Sequence, residues 1–220
     1  MELGSTVHPP TVFIMLDQFF SAPVASTIFV ITIFTSIRAF SDADLRYKFT
    51  FNPYRMVREN QYQMVLTHGL IHGSWMHLIF NMLAFYFFAF TLEAILGHWQ
   101  FAVLYILSLA AATIPGVVQH RDDSWYNAVG ASGAISAVLL SVVLFAPEIG
   151  IGLLFIPGSI PGWIFALLFI GFSFYASFRK IGNIAHDAHL FGAIAGIVLT
   201  VILRPEVATH FMAWMSAKFG

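Results

Sequence analysis

Ser132 stands in Gly130-Ala131-Ser132-Gly133 at the head of an apolar run, and His186 and His189 open another such run. His68, His72, His77 and Asn81 follow one another at spacings of four, five and four. On a helix His77 and Asn81 lie one turn apart and share a face, as do His186 and His189. Serine and imidazole are the groups of nucleophilic acyl transfer, because a hydroxyl attacks well only when a base within about 3 Å takes its proton. The pairs His68/His72 and His186/His189 also have the spacing of metal ligands on a helix. Plain structural uses exist too. A serine in a glycine-rich membrane helix packs or bonds back to its own turn, and an interfacial histidine braces a loop. What unites these residues is their setting: polar groups are costly in lipid, and where they occur there they mark function or face a wet cavity.

The setting follows from composition. Of 220 residues, 59% are hydrophobic and 10% charged, against roughly 25% charged in an ordinary soluble domain. Such a chain turns apolar side chains toward lipid. A net charge of -1 without any Lys/Arg run indicates no nucleic-acid partner. The absence of cysteine excludes disulfides, thiolate metal sites and a cysteine nucleophile. The first twenty residues lack Lys and Arg and show no cleavage site after a short apolar core, so the first span is expected to act as its own insertion signal.

About twenty apolar residues cross the hydrocarbon layer. By that measure the expected spans are Ala22 to Phe40, Ser74 to Leu96, Gln100 to Val118, Ser132 to Phe145, Pro161 to Phe178 and Ile184 to Leu203. The fourth is short and must begin below the membrane surface, where protein or a water-filled cavity has to satisfy its first N–H groups. Three helices thus bring complementary polar groups toward one membrane face. The segment Ser41 to Gly73 mixes Arg46, Lys48, Arg55, Arg58 and Glu59 with aromatic residues and reads as a structured element at the interface. Pro147 to Gly162, rich in proline and glycine, reads as an irregular connection. Without internal repeats, one domain is the economical organisation: a short tail over 1–21, a membrane domain over 22–205 and a tail over 206–220.

The run THGLIHGSWMHLIFNMLAFYFFAFTLE from Thr67 to Glu93, GASGA from Gly130 to Ala134, and NIAHDAHLFGAIAG from Asn183 to Gly196 together resemble the rhomboid intramembrane serine proteases in motif order and spacing. The resemblance implies an all-α, six-transmembrane-helix bundle in a bacterial cytoplasmic membrane. It implies Ser132 as nucleophile, His189 as general base, and His77 with Asn81 as part of an oxyanion hole. Single-span membrane proteins would be the substrates, lipid the surroundings, and no cofactor or metal would be required.

The chemistry of the residues agrees with those roles. Ser132 and His189 lie on different helices, which must approach closely; Gly133 and Ala137 on one, and Gly192 and Gly196 on the other, supply small faces for that approach. The start of the fourth helix aims free N–H groups and a positive dipole end at Ser132, and with Asn81 and His77 these can stabilise an oxyanion. Asp187, two residues before His189, falls on nearly the opposite helical face, so a dyad is expected rather than a triad. His68 and His72 either keep a water path open or brace the loop by hydrogen bonds.

Two departures from the family stand out. Where relatives often carry Trp-Arg in the first long loop, this chain has Gln63 and Met64. Ser136, one turn along from Ser132, replaces the aromatic that in many relatives packs against the catalytic ring. The long loop, Arg121 and the Arg179-Lys180 turn also put most positive charge on the face that the family arrangement directs away from the cytoplasm, against the positive-inside tendency. In the fifth span the rings of Trp163, Phe165, Phe169, Phe172, Phe174 and Phe178 are either lipid-facing aromatics or a wedge against the second span that gates substrate access. Two other functions fit parts of the pattern: a membrane metalloenzyme or metal carrier built on His68/His72 and His186/His189, though not a zinc protease since His-Glu-x-x-His is absent, and an inactive rhomboid-like protein that binds membrane clients, although such relatives typically lack the serine or histidine present here.

Overall fold

The computed structural model describes residues 17–152, 157–179 and 185–220. Most of the expected N-terminal tail, Ile184 at the head of the sixth expected span, Asn183 of the last motif and Lys180 lie outside the described residues. The described residues are mostly helical. The first long helix, α1 (Pro23–Ser41), has Pro23 at its first position, where a missing N–H costs nothing. Its next two amides are capped from afar: the Glu93 carboxylate accepts from Val24 N (3.1 Å) and Ala25 N (2.6 Å). The polar segment after it folds into α2 (Ala43–Phe49), α3 (Pro53–Arg58), α4 (Met64–Thr67) and a 3-10 turn, His68–Leu70. Asp42 caps α2 and Asn52 caps α3, each through its side-chain oxygen.

Ser74 caps α5 (Trp75–Leu96), accepting from His77 N at 3.2 Å, and Gly97 ends it at φ +90°, a conformation that suits glycine. The expected third span is broken into α6 (His98–Ala111) and α7 (Ile114–His120). Pro115 lies in the first turn of α7, so it cannot extend the α6 hydrogen-bond ladder. Then come α8 (Ser132–Phe145), the antiparallel pair β1 (Gly150–Gly152) and β2 (Ser159–Pro161), α9 (Gly162–Arg179), α10 (His186–Leu203) and α11 (Glu206–Phe219). Five helical segments of 18 or more residues are apolar enough to cross a membrane among the described residues, α6 and α7 counting together as His98–His120. Beside them stands the shorter α8.

α8 is the hub. Every residue from Gly133 to Val143 is buried, and a helix apolar all round belongs in the middle of a bundle. It packs on α10 most extensively, then on α5 and α6. The core around it gathers Phe85, Phe90, Phe101, Leu104 and Val138. In contrast α9 buries only Gly162, Ser173 and Ala176 and leans mainly on α10. The stretch expected as a C-terminal tail is helical: α11 packs against the end of α8, with Lys218 paired to Glu148 at 2.9 Å and Trp214 against Trp163.

Candidate active site

Ser132 is the first residue of α8, and His189 lies in the first turn of α10. His189 Nε2 and Ser132 Oγ are 2.7 Å apart. The approach depends on missing side chains. A Cβ on Gly192 would collide with the Gly133 carbonyl, 2.6 Å from its carbon, and one on Gly196 would stand 2.5 Å from the Ala137 Cα. The backbones of α8 and α10 are therefore in contact along two turns, as small residues permit in membrane helices. Deeper in the same seam, the Thr200 hydroxyl donates to Ser141 Oγ at 2.7 Å, which donates to Ala137 O. Gly133 faces Ala112 at the α6–α7 break on its other side.

The head of α8 is prepared by the chain before it. Gly130 holds φ +114°, a conformation costly for any other residue. A Cβ there would also lie 2.7 Å from His77 Cε1. Its amide donates to His68 O at 2.9 Å. The first helical bond of α8 runs from Ile135 N to Ala131 O (3.0 Å), and no side chain caps the helix. The amides of Ser132, Gly133 and Ala134 thus stand ahead of the ladder, at the positive end of the helix dipole. Ser132 itself lines a cavity of about 910 Å³, together with His189, His77, Asn81, Trp125 and others. Asn81 is buried and donates one amide proton to His77 O (2.9 Å), which leaves its second proton for the cavity.

His68 and His72 do not line that cavity. His68 Nδ1 pairs with Met64 O at 2.9 Å. His72 Nδ1 lies 3.0 Å from Ser36 Oγ, whose proton goes to Leu70 O. Through these bonds each ring braces its own stretch of chain, while His72 Nε2 is buried without a partner among the described residues. Burial holds His68 at about 4 and His72 at about 3, with the neighbouring His77 adding to the latter shift. Both are therefore neutral at neutral pH. Asp187 accepts from Ala188 N at 2.9 Å and from Gln119 at 3.4 Å. Among the described residues no carboxylate bonds His189, and no three His, Asp or Glu side chains converge as a metal site.

The loop before α5 is fastened without Trp-Arg. Arg55 donates to Tyr47 O (3.0 Å) and Thr50 O (3.3 Å) and stacks on the Tyr47 ring. Phe51 exchanges backbone hydrogen bonds with Ala128, and Asn52 Nδ2 reaches Ser124 O at 3.0 Å. The loop is thereby tied to the strand of chain that leads into Ser132. Reading the sequence missed three parts of this arrangement: the Glu93 cap on α1, the fit of Gly130 under His77, and the ring that faces His189. That ring is Phe169 of α9, nearly parallel to the imidazole at 6.4 Å between centroids, while Phe172 meets His186 edge-on. Of the other α9 rings, Trp163 meets Trp214 and Phe219 of α11, and Phe165 joins Phe169 and Phe88 of α5 in one apolar cluster.

The described residues form a bundle of membrane-length apolar helices that brings a serine and a histidine into contact at a partly open cavity, an arrangement suited to hydrolytic chemistry. The Rhomboid domain family model matches residues 59–206. A protein of Bacillus subtilis (strain 168) named "Putative rhomboid protease YdcA" is 34% identical over 149 residues, which cover 66% of this chain and 69% of that protein. The chain belongs to the rhomboid family.

Proposed function

We propose that this protein is an intramembrane serine endopeptidase that cuts single-span membrane proteins with a Ser132–His189 dyad. The observation that carries the reading is the 2.7 Å contact between His189 Nε2 and Ser132 Oγ at the open head of α8. His189 takes the hydroxyl proton as Ser132 attacks the scissile carbonyl, then returns it to the leaving amine. The free amides of the first turn of α8, the second amide proton of Asn81 and the His77 ring stabilise the oxyanion. Water entering from the polar cavity hydrolyses the acyl-enzyme. Neither a metal nor a cofactor is called for by these steps.

In this reading α8 counts as a sixth span, and residues 22–205 form one membrane domain seated in a bacterial cytoplasmic membrane. The site faces away from the cytoplasm despite the positive charges on that side. Three of those charges are engaged within the fold: Arg46 donates to Ala39 O at 3.0 and 3.1 Å, Arg55 is buried, and Arg58 pairs with Asp122 at 2.7 Å. A folded, internally bonded loop counts poorly as an orientation signal. A fluorophosphonate probe tests the nucleophile: it should label the wild type at Ser132 and leave Ser132→Ala and His189→Ala unlabelled. Labelling of Ser132→Ala to the same extent would remove Ser132 from the role.

A further inference from the structure

The single hydrogen bond that His189 Nε2 accepts from the Ser132 hydroxyl fixes one point of the imidazole, and among the described residues nothing bonds its Nδ1. A ring held at one atom can still turn about its last side-chain torsion, which is broad for histidine, so packing has to fix its plane. α8 does not supply that packing. Ser136, one turn along from Ser132, spends its hydroxyl on Ser132 O at 2.8 Å and offers no flat surface. α9 supplies it instead. Phe169 lies 25° from parallel to His189 at 6.4 Å, within the range of offset aromatic pairs, and is itself backed by Phe165 at 17° and 5.9 Å. His186 closes the other approach edge-on at 6.0 Å and is in turn met by Phe172.

We infer that Phe169 is a positioning residue for His189, and that α9 therefore orients the general base only while it is packed against α10.

This inference rests on the proposed dyad, and one experiment separates the two. Turnover of a small soluble ester and of a single-span substrate is measured for the purified full chain, Phe169→Leu, Phe169→Tyr and Ser132→Ala, well below every thermal midpoint. Leucine keeps bulk but lacks a flat face, so kcat on the soluble ester should fall by about tenfold to a hundredfold with KM little changed. Tyrosine should restore it. If Phe169→Leu turns over the ester at the wild-type rate, or only speeds the single-span substrate, Phe169 is a wedge and the inference fails while the dyad stands. A fall that tracks lost thermal stability and that tyrosine does not restore also overturns it. Ester turnover retained by Ser132→Ala would instead sink the dyad, and the inference with it.

Discussion

A single added carbon at Gly192 should disable the site. An alanine Cβ there would lie 2.6 Å from the Gly133 carbonyl carbon and 2.9 Å from its Cα, where ordinary contacts begin near 3.4 Å. The obstacle is backbone on a fully packed helix, so no side chain can swing aside. α10 must retreat from α8 by roughly 1 Å, and such overpacking costs about 1–3 kcal/mol. The same shift carries His189 away with its helix and stretches a 2.7 Å contact beyond hydrogen-bonding range. A misplacement of that size costs on the order of a hundredfold in rate. The assay is turnover of a single-span substrate in detergent, with thermal stability followed beside it. Gly171→Ala is the control, since nothing stands within 4 Å of a Cβ there; it should be neutral or slightly stabilising. Wild-type activity and stability in Gly192→Ala would mean that the α8–α10 seam is looser than described and does not set the Ser132–His189 distance.

Asn81→Ala should lower kcat by about tenfold to a thousandfold with modest change in KM, the range for losing one oxyanion donor; steady-state kinetics on the soluble ester would show it. Stability should fall with pH in the window from about 6.5 to about 4, because the unfolded chain protonates His68 and His72 there while burial keeps them neutral in the fold. The slope is about 1.4 kcal/mol per pH unit for each ring, so as pH falls through that window the wild-type thermal midpoint should drop more steeply than that of His68→Gln. Glu93→Ala removes the cap from Val24 and Ala25 and the 2.6 Å contact to His98, and leaving buried partners unpaired costs about 1–3 kcal/mol. It should lower the thermal midpoint while fluorophosphonate labelling at low temperature is kept, since the cap lies at the far end of α5 from the site.

Much of this was legible because lipid penalises polarity. Ser132, His189, His77 and Asn81 are conspicuous among apolar neighbours, and glycines at 133, 192 and 196 announce a close crossing. Helix bounds were readable where a cap or breaker marks them: α5 begins after Ser74, and α8 keeps the bounds Ser132 to Phe145 between Gly130 and Pro147. The α6–α7 break had a signal in Pro115 that length alone concealed. Other features are tertiary and leave no local trace. Glu93 resembles any acid near a span's end, and its partner Ala25 lies 68 residues away. The helix over residues 206–219 has a mixed composition, and its docking depends on Trp163, brought near only by folding. Phe169 is one aromatic among many on α9, and only the packed bundle reveals which ring faces the imidazole.

The most direct measurement is cleavage of a generic single-span membrane protein by the purified chain beside Ser132→Ala, in detergent or reconstituted lipid. Neither the serine nor its replacement fills a large core volume, so the variant should fold with nearly unchanged thermal stability. The dyad predicts a discrete cleavage product with the wild type and none with Ser132→Ala. The same product formed at a comparable rate by the folded Ser132→Ala variant would contradict it.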